Sequence, residues 1–185
     1  MRVTISSSSR DEIDQIYKDE AERVCEYLAS TGWDLNWGSG SHGIMGICYN
    51  VFNKYNRNIY GYTTRKYADE IDELPNAQHT IYDTTIELKD NFVKDADMLL
   101  VLAGGTGSVS EFFTYLEEVR SNDVDTPLIL YNESHLFDST IAVINDLISK
   151  KFNSESIFEY FKIANSFEEF KSIVDDIKKN DNKKL

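Results

Sequence analysis

The stretch Leu99-Leu100-Val101-Leu102-Ala103-Gly104-Gly105-Thr106-Gly107-Ser108-Val109-Ser110-Glu111 decides the fold. Met98 to Ala103 is apolar without polar alternation, which is the pattern of a strand buried on both faces. Gly104, Gly105 and Gly107 then remove three side chains where the backbone turns. Without them, main-chain N–H groups can converge on one small volume and an anion can approach closely. Thr106 and Ser108 add hydroxyl donors, and Ser108 is placed to cap the helix that follows. A helix N-terminus carries unpaired N–H groups and the positive end of the dipole, so strand, glycine turn and helix start together make a phosphate cradle. Glu111 falls about one turn into the helix, where its carboxylate can face whatever the cradle holds. On structural grounds alone, the same glycines could serve a tight βα turn, with Glu111 compensating the helix dipole.

Outward from this stretch, strand-like and helix-like segments alternate. Val3 to Ile5 is a short β-like run, followed by the serines Ser6 to Ser9. Ser9 and Glu12 have capping-box spacing, which predicts a helix from about Arg10 to Gly32. Trp33 to Trp37 reads as a second strand. It leads into another glycine-rich turn, Gly38-Ser39-Gly40-Ser41-His42-Gly43-Ile44-Met45-Gly46, which opens a helix. Further strands are expected at Asn58 to Thr63, Thr80 to Tyr82, Pro127 to Tyr131 and Lys162 to Ala164. Helices are expected at Glu87 to Val93, after Glu111, over Ile141 to Ile148, and after a Ser166/Glu169 capping box. The charged segment from Thr64 to Ala77 is placed to lie over the site. This alternation predicts one α/β domain over residues 1–180, a mostly parallel sheet with helices on both faces and right-handed crossovers, and a frayed polar tail over 181–185. Both glycine turns should then open at the carboxyl edge of the sheet, where such folds bind ligands.

Composition narrows the choice of partner. The 185 residues carry 19 Lys plus Arg against 32 Asp plus Glu, a net charge of −13. That balance disfavours a nucleic-acid backbone or an anionic membrane surface, so attraction for a phosphate has to come from local backbone dipoles. No apolar run is long enough to span a membrane, and Cys25 and Cys48 sit inside amphipathic patterns as buried thiols. The expected setting is a reduced cytoplasm.

The two glycine turns together resemble the Lonely Guy family, often labelled lysine decarboxylase-like. Its motif P-G-G-x-G-T-x-x-E is matched by Ala103 to Glu111, with Ala for Pro and Ser108 for Thr. Its upstream G-G-G-x-x-G-L-M-G is matched by Gly38 to Gly46, with Ser39 for the middle Gly and Ile44 for Leu. The resemblance implies a Rossmann-like homodimer that hydrolyses nucleoside 5′-monophosphates to free base and ribose 5-phosphate, with no cofactor or metal. The aromatic helix Phe112 to Val119 also suggests a second copy, since it has more aromatic surface than one sheet face needs. On this reading Glu111 stabilises an oxocarbenium-like transition state, with Lys89 as its catalytic partner. Gly104, Gly105, Thr106, Gly107 and Ser108 hold the phosphate. Ser8, Gly40, Ser41, Gly43, Met45 and Arg65 complete the nucleotide contacts. The family pairs its glutamate with an Arg-Lys dipeptide, and counting back from Gly104 places that dipeptide on Leu88-Lys89. The absent arginine keeps a second reading open, a nucleotide-binding or sensor module without hydrolysis. His42 is a further candidate base in the loop.

Overall fold

The computed structural model describes residues 1–71, 74–121 and 126–181. Seven strands form one sheet: β1 (Arg2–Ser6), β2 (Asp34–Trp37), β3 (Ile59–Thr64), β4 (Ala77–Tyr82), β5 (Met98–Val101), β6 (Leu128–Tyr131) and β7 (Lys162–Ala164). Their order is β4-β3-β2-β1-β5-β6-β7, and every pairing is parallel. Among the described residues, five α-helices lie between consecutive strands, α1 (Gln15–Ser30), α2 (Gly43–Lys54), α3 (Thr85–Lys94), α4 (Thr106–Ser121) and α5 (Asp138–Ser149), and α6 (Phe167–Asp181) follows β7. Short 3₁₀ turns occupy Arg65–Glu70 and Glu155–Glu159. This is a Rossmann-like α/β fold.

The strand residues account for the layering. Alternate side chains of a strand point to opposite faces, so an all-parallel sheet needs apolar residues on both. Val3, Ile5, Leu35, Trp37 and Leu100 pack on one face with Val24, Leu28, Ile44, Phe52, Phe170 and Val174 from α1, α2 and α6. Leu99, Val101, Leu128 and Leu130 pack on the other with Phe92, Phe112, Tyr115 and Ile144 from α3, α4 and α5. The aromatic surface of α4 is taken up inside the chain. Phe112 meets Phe113 and Phe161 edge-on at 5.2 Å, and both Phe112 and Tyr115 are fully buried. The surplus that suggested a second copy is therefore absent from this helix.

Several element boundaries differ from the sequence reading, for local reasons. The Ser9/Glu12 capping box does not form, and α1 begins five residues later than expected, at Gln15. The loop before it is committed elsewhere. Asp11 accepts a hydrogen bond from the Gly43 N–H at 2.8 Å and so caps α2, while Ser9 and Arg10 lie directly under Gly43. Gly43 has φ +57°, and a Cβ there would stand 2.6 Å from the Arg10 carbonyl oxygen, so only glycine fits. Strand β4 begins at Ala77, three residues before the expected Thr80, because Ala77 to Tyr82 pair along the whole of β3. The Ser166 hydroxyl does accept from the Glu169 N–H at 3.2 Å, as expected at the start of α6. The expected tail over 181–185 falls almost entirely outside the described residues.

Helix α3 starts with a capping box that the sequence reading passed over. The Thr84 hydroxyl accepts from the Glu87 N–H, and the Glu87 carboxylate accepts from the Thr84 N–H, both at 3.2 Å. Thr84→Ala should lower the denaturant midpoint by the equivalent of about 1 kcal/mol at an unchanged slope. A change below a few tenths would show that α3 is held by its packing alone.

Candidate functional site

The strand order reverses between β1 and β5, and the helices that follow them, α1 and α4, pack on opposite faces of the sheet. In open α/β sheets this switch point is the ligand crevice. The loops after the two strands meet across it. The Ser8 N–H donates to the Ala103 carbonyl at 3.0 Å and the Leu102 N–H to the Ser6 carbonyl at 2.9 Å. The Met45 N–H donates to the Ser8 carbonyl at 3.1 Å, which ties the second glycine turn to the same place.

Helix α4 opens at Thr106. Its first bond runs from the Val109 N–H to the Gly105 carbonyl at 3.1 Å, so the N–H groups of Thr106, Gly107 and Ser108 precede the ladder. A Cβ on Gly105 or Gly107 would meet nothing within 4 Å, which leaves open space above the turn. Gly104 serves another purpose, since a Cβ there would overlap the Ser108 hydroxyl and stand 2.6 Å from the Ser108 Cβ. Ser108 therefore does not cap the helix. It lies inside α4, buried against Gly104, and its backbone N–H is one of the three that precede the ladder. Ser7 adds a feature the sequence reading did not use, a hydroxyl buried next to Gly104 without a hydrogen-bond partner among the described residues.

A cavity of about 440 Å³ lies alongside the turn. Ser9, Gly38, Ser39, Gly40 and Met45 form part of its wall, Tyr62, Thr63 and Thr64 from β3 another, and Thr85, Leu88, Lys89 and Phe92 from α3 a third. Tyr67 and Ile71, in and just after the 3₁₀ turn, cover one side, as expected of the charged segment. Glu111 of α4 completes the lining. Of the expected site residues, Gly40, Met45, Lys89 and Glu111 thus come together in one cavity. Gly104 to Ser108 lie just before Glu111 on its helix and do not line the cavity themselves. A larger cleft of about 540 Å³ lies against α1, but Asp19, Glu22 and Glu26 line it and would repel a phosphate.

Glu111 is mostly enclosed, and burial raises its pKa above the ordinary carboxylate value. A hydrogen bond from Ser6 and the charge of Lys89 work in the opposite direction. Ser6 also bonds Tyr115, with Oγ and Oη 2.9 Å apart. An ionised carboxylate only accepts, so Ser6 donates to Glu111 and accepts from the Tyr115 hydroxyl. Burial holds that phenol well above its ordinary pKa. This relay fixes the Glu111 carboxylate at the switch point. Lys89 stands nearby without forming an ion pair. Its Nζ donates to Ser110 Oγ at 2.9 Å and reaches Thr114 Oγ1 at 3.5 Å, and Glu111 has no cationic partner within 4 Å among the described residues.

The remaining expected contacts fall elsewhere. Arg65 points to solvent in an ion pair with Asp83 at 2.5 Å and does not line the cavity. Ser8 accepts from the Arg10 N–H at 3.1 Å, and the Gly43 N–H is occupied by Asp11. Ser41 belongs to the tight start of α2, where its carbonyl lies against Gly46. His42 is exposed and bonded to Asp11 at 3.0 Å, outside the cavity. Among the described residues no cluster of His, Cys, Asp and Glu could hold a metal ion, and no helix is long and apolar enough to cross a membrane.

Comparison with known proteins fits this arrangement. The chain is 26% identical over 156 residues to the cytokinin riboside 5′-monophosphate phosphoribohydrolase of Mycobacterium tuberculosis, covering 79% of each chain. It is 24% identical over 140 residues to the rice enzyme of that name, covering 75% of this chain but only 58% of the rice protein. Among solved structures, the molybdenum cofactor carrier protein of Chlamydomonas reinhardtii matches with a TM-score of 0.69 at 12% identity, over 95% of this chain and 96% of that one. The molybdenum cofactor binding protein of Rippkaea orientalis matches with a TM-score of 0.65 at 18% identity, over the same shares. At those identities the likeness is one of fold. The family model described as "possible lysine decarboxylase" matches residues 45–174, well over half of the sequence, and the chain therefore belongs to that family, the Lonely Guy family.

Proposed function

We propose that this protein binds a nucleoside 5′-monophosphate at the β1–β5 switch point and hydrolyses its N-glycosidic bond to free base and ribose 5-phosphate. The observation that carries the reading is the Glu111 carboxylate. It is enclosed, held by the Ser6–Tyr115 relay, and left without an ion-pair partner beside an open anion cradle. A fixed negative charge is misplaced next to a phosphate unless positive charge develops nearby, as it does on a sugar losing its base. The Gly105–Ser108 turn holds the phosphate, and the apolar and aromatic walls from Met45, Tyr62, Tyr67 and Phe92 hold the base. Lys89 supplies the local cation, and the protein works as a cytoplasmic homodimer without a cofactor.

Leu88 favours a second reading. It lines the cavity where the family resemblance places an arginine, and the structural neighbours named above are a carrier and a binding protein. A site that binds without cleaving would tolerate Leu88. Incubation with each common nucleoside monophosphate, scored for free base, separates the two. Leu88→Arg restores a cation on the cavity wall and should raise base release at least 10-fold. If wild type and Leu88→Arg both bind a nucleotide and release no base, the protein is a binder.

A further inference from the structure

Beside β3, Ser39 of the cavity wall is bonded to a histidine behind it, a pair that the proposed chemistry leaves unused. Ser39 Oγ and His79 Nδ1 are 3.0 Å apart, and Trp37 packs on the imidazole with ring centroids 5.6 Å apart. Gly61 on β3 makes room for both, because a Cβ there would stand 2.5 Å from His79 Nδ1 and 2.5 Å from Ser39 Oγ. Ser39 is 5% exposed, lines the cavity, and has φ +62°. That is the left-handed region, where a side chain is strained and glycine is the ordinary occupant. Strain of this kind persists where the surroundings hold it, here through the bond to His79.

The unpaired atoms decide how the proton is arranged. His79 Nε2 is buried with no hydrogen-bond partner among the described residues. Burial also lowers the His79 pKa, so the ring is neutral and carries one N–H. A buried orphan N–H is rarer and costlier than a buried lone pair, so the proton belongs on Nδ1 and is donated to Ser39 Oγ. Ser39 then keeps its own hydroxyl proton for a further acceptor.

We propose that Ser39, positioned by His79, donates a hydrogen bond to a ring nitrogen of the ligand's base and so sets which base the cavity accepts. This rests on the nucleotide reading above. The placement suits a base. Ser39 follows β2, two strand positions from β5 and its phosphate turn, or about 10 Å at the usual strand spacing of about 4.8 Å. A nucleotide with its phosphate over Gly105 therefore extends its base toward Ser39, between Tyr62, Tyr67 and Phe92. During cleavage the same bond would take up negative charge developing on the departing base.

The test compares the tightest-binding common nucleoside monophosphate, found by calorimetry, with analogues in which each ring nitrogen is replaced in turn by C–H. Wild type should lose about 5- to 10-fold in affinity for one analogue. Ser39→Gly should bind the parent nucleotide about 5- to 10-fold more weakly and no longer distinguish the analogues. Its melting temperature should stay within about 2 °C of wild type, because relief of strain offsets the lost bond to His79. His79→Phe should lose the same discrimination, and His79→Asn, which keeps a short N–H donor, should retain most of it. The proposal is overturned if wild type treats all the analogues alike, or if Ser39→Gly discriminates as wild type does. If wild type binds none of the nucleoside monophosphates, the nucleotide reading itself fails.

Discussion

Glu111→Gln should retain nucleotide affinity and lose about 10²- to 10³-fold in turnover, corresponding to about 3–4 kcal/mol of transition-state stabilisation. The amide fills the same volume and can still bond Ser6, but it has no charge to set against an oxocarbenium ion. Single-turnover release of free base measures the effect. Burial raises the Glu111 pKa, so the reactive ionised form is lost as pH falls through a value above the ordinary carboxylate range. Activity should therefore decline on the mildly acidic side, and the acid limb should vanish in Glu111→Gln. Stability has the opposite sign. A carboxyl whose folded pKa is raised favours folding when protonated, and that contribution is lost as pH rises from the unfolded to the folded pKa. At neutral pH Glu111 is thus a cost to the fold, and Glu111→Gln should melt about 1–3 °C higher than wild type. If the protein only binds, the substitution should instead tighten nucleotide binding slightly, because one repulsive charge near the phosphate is gone.

The glycine turn gives the second large effect, and its two halves should behave differently. Gly105→Val should abolish nucleotide binding, at least 100-fold by calorimetry, while the fold survives, because a Cβ at Gly105 meets nothing within 4 Å and its side chain would fill the anion's space. Gly104→Ala should instead destabilise the protein by about 2 kcal/mol, since the new methyl group overlaps buried Ser108. Circular dichroism melts separate the two results. An unchanged affinity for Gly105→Val would move the phosphate to another turn.

Much of the fold was legible because hydrophobic burial writes itself into sequence. Met98 to Leu102 had to be a central strand, since nothing polar interrupts it, and the helices betrayed themselves by periodicity. Glu111 was legible from its spacing after Gly104. Partnership across the chain was less so. The first capping box was misread because Asp11 caps a helix 32 residues away, a choice no local pattern announces. Arg65 was placed among the nucleotide contacts as a cation near the missing arginine, and Asp83 holds it outside the cavity. His79 gave no signal, because its meaning depends on Gly61 across β3 and on Ser39, 40 residues away.

The place of β1 in the sheet has a consequence for how the chain folds. Its partner β5 pairs Val3 with Met98, so the crevice closes only when segments about a hundred residues apart meet. The half-sheet β4-β3-β2-β1 is assembled from neighbouring βα units and can form earlier, with a smaller loss of chain entropy. The crevice beside the glycine turn is thus the product of the least local strand pairing in the sheet. A nucleotide added during refolding finds no site until that contact exists, so it should slow unfolding and leave the folding rate unchanged.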